Sequence, residues 1–382
     1  MVGRRSLRNG TLLVAALAQP ACRDAVEPFG SADTAVDTTV ALRLTAGTGD
    51  ERSPAWSHDG SAVIYAGETF PGMPAGRGLL LTIPRHSGAA SLILPQLQGA
   101  GAGGPRRLAA PALSPDGSRV AFIELARIAT AAPLAAAGCP VVEPLLDSAV
   151  VRVRAIGSTG PLLADPSTPI DFAGRDPAMA AGDTGPFVLR TLPFQRIFIE
   201  DSALVTRLSW APDGERIVFS DGTRLFTWRP AGGPPVPVAG TDDGVSPAWS
   251  PDGEWIAFTR IERTDSTSVT CNVIVGFNTV QHQRTGFSEG RRVLMVIRPD
   301  GSAARELAPG EEPAWSPDGT AVFFVADRRI WRVALAGGSP VEVADTEFAR
   351  EPAVSPDGLR IVVTRSDDGR DLHDLWSIPL AR

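Results

Sequence analysis

The sequence predicts an all-β fold, a six-bladed β-propeller, and three observations predict it. One hairpin motif occurs six times. Its shortest repeat is about 40 residues, the size of a four-stranded blade. A lone strand near the N-terminus matches a strand missing from the last repeat.

The motif is clearest at Ser246–Thr259, which reads Ser-Pro-Ala-Trp-Ser-Pro-Asp-Gly-Glu-Trp-Ile-Ala-Phe-Thr. Its other copies start at Ser53, Ala110, Arg207, Glu312 and Glu351. Proline presets φ for the second turn position, aspartate suits the third, and glycine supplies the left-handed geometry that closes a hairpin. The repeated turn residues are Asp59 and Gly60, Asp116 and Gly117, Asp213 and Gly214, Asp252 and Gly253, Asp318 and Gly319, and Asp357 and Gly358. Successive aspartates stand 57, 97, 39, 66 and 39 residues apart, so 39 defines the bare unit and the longer intervals carry insertions. Trp56, Trp210, Trp249 and Trp315 share one place before the turn, with Leu113 and Val354 standing in, which fits packing between neighbouring units.

In chain order, Arg4, Arg5 and Arg8 precede an apolar run from Leu12 to Ala18 and then small residues up to Cys22. That order marks a bacterial-type export signal over residues 1–21. Two processing readings stay open: cleavage after Ala16-Leu17-Ala18, or lipidation of Cys22, against which Gln19 departs from the aliphatic residue a lipoprotein signal carries. Residues 22–39 read as a flexible tether and 40–382 as the propeller. Losing the leader's three arginines moves the net charge from −7 to −10. An acidic chain is a poor match for nucleic acid. No later run reaches the ~18 apolar residues of a membrane span, so a lipid anchor would be the one route to a membrane. All 36 basic residues are arginine, which reads as genomic base composition.

Val40–Thr45 reads as a lone strand, and the last unit has only three: Pro352–Val354, Arg360–Thr364 and one around Leu375–Ile378. Pairing the lone strand with the last unit would close the ring and remove its open edges. The bare unit shows four strands at Pro313–Trp315, Ala321–Val325, Ile330–Leu335 and Val341–Val343. Equivalent third-to-fourth turns read at 86–88, 157–160, 232–233 and 299–301.

This hairpin, followed by a third strand, an Asp-Gly-type turn and a strand ending as Leu44-Thr45 does, resembles the repeat of the TolB-like (WD-type) β-propeller family over residues 40–382. The resemblance implies the fold. A member with an α/β domain before its propeller differs from this chain, where a leader and tether stand instead, so the family's Tol-system role does not follow.

In an up-and-down blade, first-to-second and third-to-fourth loops share one face, and the other loops share the opposite face. The long segments Gly67–Gly78, Pro95–Ala109, Leu125–Ser148, Asp165–Val205 and Glu262–Arg291 are all of the second kind. One face is therefore expected to be plain and the other decorated, and long loops on a rigid scaffold are where binding resides. Cys139 and Cys271 fall in these insertions and are candidates for a disulfide in an oxidising compartment. A degenerate seventh blade around Phe187–Ile199 is an open alternative.

Catalytic motifs are sparse. Gly286-Phe287-Ser288-Glu289-Gly290 matches the serine-hydrolase pattern but lacks the apolar strand before it and the helix after it. His58 and His86 fall on the plain face, His282 and His373 on the decorated face, without metal-ligand spacing. Asp242-Asp243 and Asp367-Asp368 lack the periodicity of a calcium loop. The expectation is an exported monomer with no catalytic, cofactor or metal residues, binding an envelope protein through its decorated face. The alternative is a propeller lyase or hydrolase acting on a polysaccharide or peptide in the central channel.

Overall fold

The structure is a computed structural model that describes residues 40–46, 49–68, 78–86, 88–93, 106–127, 146–156, 170–171, 207–222, 224–230, 232–262, 266–275, 278–287, 290–366 and 373–381. Cys22, Cys139, the leader, the tether and the segment 187–199 lie outside them.

Six four-stranded antiparallel sheets form the blades. Blade 1 is β2 (Glu51–Trp56), β3 (Ala62–Gly67), β4 (Leu79–Pro84) and β5 (Ser91–Leu92). Blade 2 is β6 (Arg106–Leu113), β7 (Arg119–Arg127), β8 (Leu146–Ala155) and β9 (Ile170–Asp171). Blade 3 is β10 (Ser209–Trp210), β11 (Ile217–Ser220), β12 (Leu225–Trp228) and β13 (Val236–Pro237). Blade 4 is β14 (Gly244–Trp249), β15 (Ile256–Ile261), β18 (Arg292–Ile297) and β19 (Arg305–Pro309), with the hairpin β16 (Ser266–Val275) and β17 (Asn278–Phe287) inserted between its second and third strands. Blade 5 is β20 (Glu311–Trp315), β21 (Ala321–Ala326), β22 (Arg329–Ala334) and β23 (Val341–Glu342). Blade 6 is β24 (Ala349–Val354), β25 (Arg360–Arg365), β26 (Asp374–Pro379) and β1 (Leu42–Arg43).

The ring closes as the spare strand requires. Leu42 pairs with Ser377 and Arg43 with Trp376, and the Leu44 N–H donates to the Leu375 carbonyl at 2.7 Å. Arg360, fully buried, fastens the joint: its guanidinium donates to Val40 O at 3.0 Å and to Ser377 O at 2.7 Å. First strands of successive blades pack side by side all the way round, β24 of blade 6 lying against β2 of blade 1.

Each buried apolar cluster straddles a blade boundary. Phe258 and Met295 of blade 4 pack with Val218 and Leu225 of blade 3, and Val362 and Leu375 of blade 6 pack with Tyr65 and Leu81 of blade 1. Second and third strands are covered on both faces, which is why Ile217–Ser220 and Leu79–Leu81 are wholly buried rather than alternating.

The repeated turns are clasped by their own side chains. Ser316 Oγ donates to Asp318 Oδ1 at 2.6 Å and accepts the Ala321 N–H at 3.0 Å, while Asp318 Oδ1 accepts the Thr320 N–H at 3.0 Å. These bonds favour the ionised aspartate and hold Asp59 and Asp318 down to about 2. Blade 3 has Ala211 instead of serine, and there Asp213 takes Arg216 Nε at 2.9 Å. Gly253 adopts φ +77°, and a Cβ there would stand 3.1 Å from Pro212, the turn proline of the preceding blade. Three tryptophans also tie each blade to the one before. Trp56, Trp210 and Trp315 donate from Nε1 to the carbonyls of Ala353, Ala112 and Ala248 at 2.9, 3.0 and 2.9 Å. Trp249 is the exception, bonding Gly253 O of its own turn at 3.2 Å. Blade 3 there has Ser209 in place of alanine, and Ser209 Oγ takes the Trp249 N–H at 2.9 Å.

Several boundaries differ from the sequence expectation. In blade 2, β7 runs on to Arg127 and β8 begins at Leu146, because the pairing of Ala126 with Ser148 extends the hairpin beyond the apolar run. The segment Asp165–Val205 is not wholly a blade-to-blade loop, since it contains β9, the fourth strand of blade 2. The third-to-fourth connection of blade 2 therefore covers residues 156–169, so the plain face is not uniformly short-looped. The segment Glu262–Arg291 contains a regular hairpin instead of a loop.

Candidate functional site

The six first strands surround a central channel of about 380 Å³. Its wall follows from one local irregularity. In β2, Arg52 pairs with Ala66 and Ala55 with Ile64, leaving Ser53 and Pro54 against one residue, a β-bulge. Proline has no N–H to give a ladder, so a bulge is where a strand accepts it. The same shift recurs in β6, β14, β20 and β24. It places Pro54, Pro111, Pro247, Pro313 and Pro352 on the channel wall. The residue before each proline (Ser53, Ala110, Ser246, Glu312 and Glu351) has φ between 49° and 54°. A left-handed conformation costs a residue with a Cβ about 1–2 kcal/mol.

Neighbouring blades hold three of these strained residues in place. Glu312 N–H donates to Thr259 Oγ1 of blade 4 at 3.0 Å, Glu351 N–H to Glu312 Oε2 at 2.6 Å, and Ser53 N–H to Glu351 Oε2 at 2.8 Å. Both glutamates are buried, and their carboxylates run from blade to blade along the mouth where the first strands begin, which is the decorated face. Arg350 Nη2 bonds Glu312 Oε1 at 3.2 Å and Glu311 Oε1 at 3.3 Å, and Arg292 pairs with Glu311. Burial and the adjacent Glu312 charge nevertheless raise the Glu311 carboxyl above its ordinary range.

A second charged group sits where blade 6 meets blade 1 on that face. Asp50 accepts Arg52 Nε at 2.6 Å and the His373 N–H at 2.9 Å, with His373 Nδ1 at 3.1 Å. Burial pulls the Asp50 carboxyl upward, but the bonds from His373 and Arg52 outweigh it and hold the group below its usual range. Glu51 has the opposite environment. It is 5% exposed and near Asp374, and it accepts the Thr45 hydroxyl at 3.4 Å. Burial, then the Asp374 charge, push it up to about 8. Asp374 is itself paired with Arg43.

These acid–base residues were missed by sequence reasoning, which found no such constellation. Of the predicted residues, His373 belongs to the cluster. Cys271 and His282 sit at paired register positions of the hairpin β16–β17, away from the channel strands in sequence. Gly286 and Phe287 close β17 and β18 follows at Arg292, so among the described residues the hydrolase-like motif has no helix after it. The turn aspartates clasp their own hairpins. Among the described residues, no three His, Cys, Asp or Glu side chains are grouped to hold a metal ion.

No protein-family model matches the chain, and no curated protein does. Solved structures similar to it include TolB from Acinetobacter baumannii, 17% identical with a TM-score of 0.45 over 81% of this chain and 58% of that one. A TolB candidate from Agrobacterium tumefaciens is 15% identical, with a TM-score of 0.47 over 90% of this chain and 97% of that one. An oligogalacturonate lyase in complex with manganese is 13% identical, with a TM-score of 0.47 over 90% and 93%. The chain thus spans little more than half the length of the first TolB. The propeller fold rests on the strand pairing itself.

Proposed function

We propose that this chain is an exported, non-catalytic propeller acting as a protein-binding or scaffold module of a bacterial envelope. The observation that carries the reading is the hairpin β16–β17. It is inserted on the decorated face, ten residues per strand, and among the described residues neither strand pairs with a blade. Open strand edges of this kind accept a partner strand by main-chain hydrogen bonding. In this reading residues 1–21 direct export and residues 22–39 form a tether. Cys22 carries a lipid in one processing form, Cys139 and Cys271 form a disulfide, and the propeller is a monomer in the periplasm or at a membrane.

Replacing residues 266–287 by a short glycine linker, outside all blade ladders, tests it. Cross-linked capture of an envelope protein is expected to disappear while the far-ultraviolet circular dichroism keeps its β signature. Undiminished capture by the deletion variant sinks the reading. The intact mass of the mature N-terminus decides the processing form.

One observation favours a second reading, a lyase or hydrolase acting on a polysaccharide or peptide: the Asp50–His373 pair beside a carboxyl held protonated near neutrality. Turnover of an oligosaccharide or peptide panel that is abolished by His373→Asn would establish it over the first.

A further inference from the structure

The channel wall repeats in five blades and breaks in one. At the position before the wall proline, blade 3 carries Arg207, and Leu208 replaces the proline. The described part of β10 is Ser209–Trp210, and Arg207 stands two residues before it. A long cationic side chain here crosses the channel. Arg207 Nη1 donates to Pro352 O at 2.9 Å, and Pro352 belongs to blade 6, diametrically opposite in a ring of six.

The other guanidinium nitrogen, Nη2, is buried and has no hydrogen-bond partner among the described residues. No carboxylate there lies within ion-pair distance of Arg207. Glu312 and Glu351, the nearby acids of the mouth, are not channel-lining residues, and each already accepts a backbone N–H of the next blade. Arg207 is the one permanently charged side chain among the described channel-lining residues, whose wall is mainly proline, alanine and tryptophan. A buried, unanswered N–H on a cation calls for an acceptor. The channel volume is within the range of small-ligand sites, which pair apolar walls with one or two polar anchors.

We propose that the central channel is a carboxylate-binding site in which Arg207 holds the charged end of a ligand whose apolar body lies against the proline and tryptophan wall. A carboxylate suits a single guanidinium fork. A phosphate dianion does not, because its greater charge would be desolvated against an apolar wall with only one cation to answer it. This site goes beyond the binding role assigned to the decorated face and does not depend on it, since the wall is made of inner strands. Two sources supply such a carboxylate, a peptide C-terminus or a free small acid.

Calorimetric titration of the full chain with four probes tests the site, the tripeptide Ala-Ala-Phe as free acid and as C-terminal amide, and 4-phenylbutyrate with its amide, with phenyl phosphate as a control. At least one acid is expected to bind tenfold or more tighter than its amide. That preference should vanish in Arg207→Gln and survive in weakened form in Arg207→Lys, each checked for an unchanged thermal midpoint. Preference confined to the tripeptide identifies a chain end as the source, and preference confined to phenylbutyrate identifies a small acid. Equal binding of acids and amides, as water-filled walls would give, overturns the proposal. So does the absence of heat with all four probes, a preference that persists in Arg207→Gln, or tighter binding of phenyl phosphate than of either acid. If Arg207→Gln does not fold, the acid–amide comparison in the native chain and in Arg207→Lys still decides.

Discussion

Glu51→Gln should stabilise the propeller above neutral pH, and the size of the effect follows from its surroundings. The carboxyl is buried at the closing joint, faces Asp374 and Asp50, and has the Thr45 hydroxyl and the Arg43 charge as its weaker favourable neighbours. Its pKa is raised from 4.5 to about 8. Between those values the folded chain keeps a proton on Glu51 that the unfolded chain has released. Stability contributed by this group is therefore complete below about pH 4.5, falls as pH rises, and is gone above about pH 8. At about 1.4 kcal/mol per unit, the window amounts to a loss of order 5 kcal/mol. Glutamine keeps the shape and cannot ionise, so the two proteins should be nearly equal in stability at pH 5 and diverge toward pH 8.5. Urea denaturation from pH 5 to 8.5 reads the difference directly, as a gap in midpoints of roughly 1 M at the alkaline end. Every other titrating group is common to both proteins and cancels. Parallel midpoint curves, or a variant less stable at pH 8.5, would falsify the assignment of Glu51 as a protonated, buried acid.

Three further predictions probe the ring. Trp315→Phe strands the Ala248 carbonyl and should cost about 1–2 kcal/mol, whereas Trp249→Phe, whose indole bonds only its own turn, should couple more weakly to the preceding blade; a double-mutant cycle between Trp315 and Ala248's strand separates the two. Gly310→Ala would put a Cβ 2.3 Å from the Phe324 ring at φ 152° and should cost about 3 kcal/mol or more in thermal denaturation. Leu44→Pro deletes the N–H given to Leu375 O at the closing strand and should lower stability by about 3 kcal/mol; an unchanged thermal midpoint would mean the ring is not held there.

Much of the fold was legible because its signals are local. Ser-Pro-Asp-Gly closes a turn through bonds spanning two to five residues, and six repeats of it mark six blades whatever lies between them. The closing strand was legible too, since one terminus had a strand more and the other a strand fewer. The register was not. The bulge before each wall proline shows only in the ladder, and the fourth strand of blade 2 lay hidden in a segment without a clear apolar run. The charged joint was invisible for a different reason: Asp50 and His373 are 323 residues apart, and nothing along the chain relates them.

Sequence alone thus determined the number and kind of repeating units, because turn chemistry and strand hydrophobicity act within a few residues. Tertiary structure decided which carboxyls lose water and which gain partners. It put Glu51 beside Asp374, threaded Glu312 and Glu351 from blade to blade, and sent Arg207 across to Pro352. Those outcomes depend on dielectric surroundings and on distances between blades, quantities that exist only once the ring has closed.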